Sequence, residues 1–551
     1  MKPIVDVARS LDIAPADIEP YGYYKAKLSL KAFKDRPRRG KLVLVSAITP
    51  TPAGEGKTTT TVGLVQGLAR IGVRSAAALR EPSLGPVFGM KGGGAGGGAS
   101  EIVPMMDINM HFNGDFHAVT SAHNLLAALV DNCLHNGNTA GLDPRRVTWK
   151  RVIDMNDRAL RNIVVGLGGR TEGIPRETGF DITAASEVMA ILCLADGIPD
   201  LKARLGRIVV GYSTAGTPVT ARDLNAVGAM AALLKEAIKP NLVQTTEGVP
   251  AFVHGGPFAN IAHGTNSIAA TKAALAFADI VVTEAGFAFE LGAEKFFDIN
   301  CRYGGFAPAC TVLVATIRAL KMHGGKPLAD VGQPDVAAML RGLSNMEKHV
   351  ENIRKFGQPC VVAINRFAAD TAEEVEALEQ HCRSLGVQAV AARPFDGGGA
   401  GCTELAEVVR DLTARSEPQF TPLYDWNDSI EHKIVTVARE MYGAHAVDYT
   451  ARGRRDLEHL EQGGYGKLPV CIAKTQQSLS DNPALLGRPK DFLVTVREIH
   501  LAAGAGFVIP ITGEIMRMPG LPKSPMASRF DLSDDGEIVF ANQDGIRPSN
   551  R

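Results

Sequence analysis

The chain has no excess of either charge: 59 Lys and Arg balance 59 Asp and Glu over 551 residues. Without a basic surplus it lacks the electrostatic footprint of a nucleic-acid binder. Its one basic run, Lys34-Asp-Arg-Pro-Arg-Arg-Gly-Lys41, reads as a solvated connector. No stretch approaches the roughly 18 successive apolar residues of a membrane span, so no membrane partner is expected. Met1 to Ser10 lacks an apolar core and carries Asp6, unlike a secretory signal. The eight cysteines are scattered with no C-x-x-C pair, so neither a disulfide frame nor a zinc site is expected. A soluble cytoplasmic protein with free thiols is the expectation.

Glycine, in contrast, is abundant at 58 residues and concentrated in a few loops, where backbone can approach a ligand closely. The most informative loop follows an apolar, β-branched strand, Leu42 to Ile48. The chain turns through Thr49-Pro-Thr-Pro-Ala-Gly-Glu-Gly56 and enters a helix at Lys57-Thr58, with Val62, Leu64, Val65 and Leu68 on its apolar side. Strand, Gly-rich turn, Lys-Thr, helix is the setting of a phosphate-binding loop. Turn amides and the helix N-terminus offer partial positive charge to a phosphate. Lys57 would reach the terminal phosphates, and the Thr58 hydroxyl would face magnesium. Thr51 stands where the pattern G-x-x-x-x-G-K-[ST] has its first glycine.

Residues 1–40 read as a helical lead-in broken at Pro20 and Gly22. Ser75 to Leu79 is a short strand ending in Arg80-Glu-Pro-Ser-Leu-Gly-Pro86, and the run Gly89 to Gly98 encloses Lys91. That run reads as a backbone nest for an anion rather than a linker. His111, His117 and His123 lie with Asp107 and Asp115 within 17 residues. Their spacing matches no standard metal-ligand set, so they read as pocket lining. Strand candidates follow at Ile208–Tyr212, 241–246, 251–254 and 279–284, the last placing Glu284 at its C-terminal edge. Ligands and magnesium gather at that edge in open α/β sheets. Further strands lead to Asn365-Arg-Phe367 and to Arg393-Pro-Phe395, aromatics at equivalent strand ends 28 residues apart. They suit either a sandwich around a flat ring or a place in the core. Asp370 is read as the N-cap of the helix that follows, and Leu468–Gln476, Phe492–His500 and Gly504–Gly513 as the strands of a last unit.

The alternation predicts an α/β protein: a P-loop-type, doubly wound, mostly parallel sheet in a large N-terminal domain, with two smaller α/β domains. The expected divisions are 1–340 for nucleotide binding and catalysis, 341–425 contributing to a second substrate site, and 426–551. Three functions fit a phosphate loop at this point. One is ligation of a small acid, and a second is phosphorylation of a larger acid. The third is a nucleotide switch, although Asn365-Arg-Phe-Ala368 lacks the aspartate of the guanine-reading Asn-Lys-x-Asp motif.

Several segments, in order along nearly the whole chain, resemble the formate–tetrahydrofolate ligase family. They are Thr49–Thr58, Arg80–Pro86, Asp107–Asn124, Val253–His263, Thr283–Phe287, Leu291–Phe296, Ala473–Gln476 and Met518–Lys523. The resemblance implies ATP-dependent ligation of formate to tetrahydrofolate, giving 10-formyltetrahydrofolate, ADP and phosphate through formyl phosphate. It implies catalytic roles for Lys57 and Arg80, the latter clamping formyl phosphate. ATP would be held by Thr51, Pro52, Ala53, Gly54, Glu55, Gly56, Lys57 and Thr58, with magnesium at Thr58. The pterin would stack on Phe367 and Phe395, and Phe287 would be a mobile aromatic near the active centre. The resemblance further implies a potassium or ammonium ion as activator, a homotetramer, and a folate that is polyglutamylated in some forms. Phe395 stands where the family often has tryptophan. Ala288-Phe289-Glu290 replaces its usual Gly-Ala-Asp, which is expected to stiffen the loop around Phe287.

Overall fold

The computed structural model describes residues 1–91, 93–542 and 545–547. Its centre is a large mixed sheet in the order Ile18–Pro20, Ala26–Leu28, Asn241–Thr245, Pro250–Val253, Ser75–Leu79, Ile280–Glu284, Lys41–Ala47, Pro308–Ala315, Cys360–Asn365 and Gln388–Ala392. From Pro250–Val253 onward every pairing is parallel. The first three strands pair antiparallel, and Ser100–Val103 joins them against Asn241–Thr245.

The central strands are apolar on both sides because both sides are covered. Leu42 and Leu44 belong to one buried cluster, together with Ala270, Ala273 and Ala274 of helix Ile268–Phe277. Val43, Val45 and Ala47 point the other way, against Val62, Leu64, Val65 and Leu68 of helix Lys57–Arg70. Successive strand residues face opposite sides, so an uninterrupted apolar strand requires helices on each. Each of those four helix side chains is fully buried and contributes about 1.5–3 kcal/mol.

Parallel pairing puts the C-terminal ends of all these strands on one edge. Glu284 lies opposite Val45, and Val45 opposite Val312. Asn365 lies opposite Ala392. Thr49–Thr58, Arg80, Glu284–Phe287, Thr316, Phe367 and Phe395 therefore all emerge at one rim. The sheet also runs through the division expected at residue 340, since Pro308–Ala315 pairs with Cys360–Asn365.

Four local expectations are corrected. Residues 18–28 are not helical; they form two three-residue strands at the edge of the central sheet. The strand near Ile208, observed at Val209–Ser213, belongs to a separate three-stranded sheet. Helix Ala372–Ser384 is capped by Thr371 and Glu374 in a reciprocal capping box, while Asp370 accepts from the Phe367 amide at 2.8 Å. Leu468–Gln476 makes only isolated bridges, Val470 with Val508 and Ala473 with Ile511. Pro510 lacks the amide that would extend that ladder. The neighbouring pair Leu493–Ala502 and Phe507–Thr512 is an antiparallel hairpin, as its alternation predicts.

Candidate active site

The turn Thr49–Gly56 is held from below by side chains distant in sequence. The Thr49 amide lies 3.1 Å from His349 Nε2 and 3.2 Å from Asn345 Oδ1, and its carbonyl oxygen lies 2.9 Å from His323 Nε2. Within the turn, Glu55 accepts from the Thr51 amide at 2.7 Å and from the Thr316 hydroxyl. Asn365 donates to the Glu55 carbonyl at 3.0 Å, and Arg318 donates to the Gly54 carbonyl. Thr51 has ordinary negative φ, so the missing first glycine costs no backbone strain. Gly56 does need to be glycine: its φ is +71°, and a Cβ would sit 2.5 Å from Asn365 Nδ2. Gly56 caps helix Lys57–Arg70 without a side-chain partner, and the first amide bonded back to it is that of Thr60. The amides before Thr60 make no bond back to the turn's own helix and point out of its N-terminus.

Three cations near this turn, Lys57, Arg80 and Lys91, all feel the Glu284 carboxylate, and Lys57 also feels Glu55. Burial pulls the Lys57 ammonium down to about 8; Glu284 holds it up, while Arg80 and Lys91 push it lower. Burial also lowers Arg80, against the attraction of Glu284. Among the described residues, none of the three cations forms an ion pair within 4 Å. Arg80 Nη1 donates to the Pro257 carbonyl at 3.2 Å, whereas its buried Nε has no partner. Such a cluster is short of negative charge, and a polyanion would supply it.

Glu284 sits at the strand end as expected and is buried. The Thr58 hydroxyl donates to its carboxylate, 2.9 and 3.1 Å from the two oxygens. Among the described residues no group of three or more His, Cys, Asp or Glu could cage a metal. A hydroxyl and one carboxylate fit magnesium, which keeps waters and binds through one or two carboxylates plus phosphate oxygens. Glu290 is fully enclosed, 3.4 Å from Lys474 and 3.7 Å from His349.

Phe287 has φ +58°, a conformation costing a non-glycine residue on the order of 1 kcal/mol. It follows Gly286, where a Cβ would lie 3.0 Å from Arg80 Nη1, so the backbone just before the strained residue runs close to the Arg80 guanidinium. Phe367 is half-buried, with the Arg318 guanidinium 4.1 Å above its ring. Phe395 is 56% exposed. The glycine-rich run packs against it: the Ala99 amide donates to the Phe395 carbonyl at 2.7 Å, and a Cβ at Gly98 (φ +62°) would overlap that oxygen.

The histidine cluster divides. His111 and His117 line a cavity of about 340 Å³ with Asp115, Thr120 and Asp154. His123 is a core residue stacked on Trp149 with ring centroids 4.1 Å apart, and burial lowers it to about 4. Sequence reasoning missed Asp154, whose carboxylate accepts from the Ser83 hydroxyl at 2.5 Å and the Leu84 amide at 2.9 Å, pinning the loop that begins at Arg80. It also missed His323, Asn345 and His349, helix residues whose partner Thr49 is 274 to 300 positions away. Arg318 was within reach: it follows a strand end, as Lys57 and Arg80 do.

A strand-end rim thus combines a glycine-capped turn, three cations around Glu284 and the aromatics Phe367 and Phe395. The formate–tetrahydrofolate ligase family matches residues 1–540, nearly the whole chain. The chain belongs to that family, and it is an enzyme that joins formate to tetrahydrofolate.

Proposed function

We propose that ATP drives this ligation through formyl phosphate at the rim around Lys57. The observation that carries the reading is the convergence of Lys57, Arg80 and Lys91 on Glu284 beside unspent helix amides. Formate has no leaving group, so its carbon cannot accept an amine directly. A formate oxygen attacks the γ-phosphorus, the bond to the β-phosphate oxygen breaks, and ADP departs. The N10 amine of tetrahydrofolate then attacks the formyl carbon. The carbon–oxygen bond to phosphate breaks, and the amine proton is lost as phosphate leaves.

Positioning and charge stabilisation are the protein's share of this chemistry. Turn residues Thr51 to Gly56 and the helix amides hold the phosphates, and Lys57 neutralises the terminal one. Arg80 spreads its planar donors over the acyl phosphate oxygens. Thr58 and Glu284 would hold magnesium, which when bound screens charge on the phosphate oxygens. The pterin lies at Phe367 and Phe395, with formate between it and Arg80.

The test follows ADP release with formate and tetrahydrofolate added singly and together, and scores formyl product as its methenyl form after acidification. ADP and product in equal amounts only with all three substrates supports the reading. ADP release that needs neither formate nor folate, without product, overturns it. Lys57→Ala is expected to lose about 100-fold or more in kcat/KM for ATP.

A further inference from the structure

Arg318 touches both halves of the rim. It lies in helix Ile317–His323, which starts directly after strand Pro308–Ala315. Thr316 caps that helix, its hydroxyl oxygen accepting from the Ala319 amide at 3.2 Å. The same hydroxyl donates to Glu55, so the helix start is tied to the phosphate turn. Two residues on, Arg318 donates to the Gly54 carbonyl in the centre of that turn. Its guanidinium carbon stands 4.1 Å from the centroid of Phe367. Its Nε is buried and unpartnered.

The Phe367 backbone is held by the bond from its amide to Asp370, but among the described residues its ring pairs with no other aromatic. One planar cation thus contacts both the carbonyl side of the turn and the face of this aromatic. A guanidinium suits the task because it can stack on a ring while donating in its own plane.

We propose that Arg318 is a positioning residue that couples occupancy of the phosphate loop to binding of the pterin ring at Phe367. The inference rests on the proposed placement of ATP and folate. When phosphates draw in the turn, the Gly54 carbonyl moves with it. Arg318 follows, and the Phe367 face is fixed for stacking. By linkage the coupling is reciprocal: folate must tighten ATP by the factor by which ATP tightens folate.

The experiment measures dissociation constants for a non-hydrolysable ATP analogue with magnesium and for tetrahydrofolate, each alone and each with the other saturating. Wild type is expected to show mutual tightening of about 5-fold or more. Arg318→Gln should bring that ratio to about 1, whether or not its affinity for the analogue alone also falls. Arg318→Lys should lose most of the coupling too, since an ammonium lacks the planar face. A merely structural role would lower affinities or melting temperature without abolishing the ratio. An unchanged ratio in both variants, or no tightening in wild type, overturns the proposal. Phe367→Ala separates the two failures. If it binds folate as wild type does, the placement of folate is wrong and the coupling falls with it. If it weakens folate while the Arg318 variants keep the ratio, only the coupling is wrong.

Discussion

At Lys57, burial decides the chemistry. An ammonium in water has a pKa near about 10.4, and here it is held at about 8. The folded chain therefore binds fewer protons than the unfolded chain between those values, and stability rises with pH across that window. Ligand binding has the opposite sign. With ATP placed as proposed, its phosphates would favour the charged form of Lys57 and raise its pKa above 8, so binding would take up a proton. Affinity for an ATP analogue should then fall as pH rises through about 8. Titration calorimetry in two buffers of different ionisation enthalpy should show net uptake of up to about half a proton at pH 8, growing as the pH is raised above that value. Lys57→Ala should abolish that uptake. Equal apparent enthalpies in the two buffers for wild type would place the ammonium outside the phosphate site.

At the scale of elements, the segment Glu284–Ala293 shows what sequence does and does not disclose. Ala288, Phe289 and Glu290 invite the expectation of a stiffened loop. Ala288 has φ −98°, however, which any L residue adopts, and Phe289 is a core residue against Phe297 and Phe356. The unusual backbone is at Phe287 itself. Ala288→Gly should accordingly cost about 0.5–1 kcal/mol of stability through the unfolded chain and leave kcat unchanged. A rise in kcat would show that the alanine does restrain Phe287. Residue type was legible here and φ was not. The parallel strands were legible for a physical reason: sheets covered on both faces demand continuous β-branched runs, and Gly-Lys-Thr marks the turn at one end. Ile18–Pro20 and Ala26–Leu28 were illegible because three residues carry no period, and Ala26 and Lys27 find their central-sheet partners only at Leu242 and Asn241. Asp154 was illegible because a carboxylate in a loop looks solvated until Ser83 and Leu84 are seen to bind it.

Across the whole molecule, the question is whether the chain on either side of residue 340 behaves as one unit. Lys321 and Glu374, both fully buried, meet at 2.7 Å across that position. The same carboxylate accepts from the Asp335 amide at 2.8 Å and from the amide and hydroxyl of Thr371, each at 3.0 Å. Burial alone would raise its pKa, but Lys321 and these donors hold it below the usual carboxylate value. A depressed carboxylate stabilises the fold above its unfolded pKa, and that contribution is lost as pH falls through the folded value. Glu374→Gln removes the charge and leaves the Lys321 ammonium buried without compensation, at a cost of about 3–5 kcal/mol. Because the sheet continues from Pro308–Ala315 into Cys360–Asn365, that loss should be felt on both sides. Scanning calorimetry at neutral pH should show the transition containing this sheet move down as a whole. The gap between wild type and variant should narrow as pH is lowered toward the carboxylate range. Two transitions, with only one displaced, would instead mean that residues before and after 340 unfold independently despite their shared sheet.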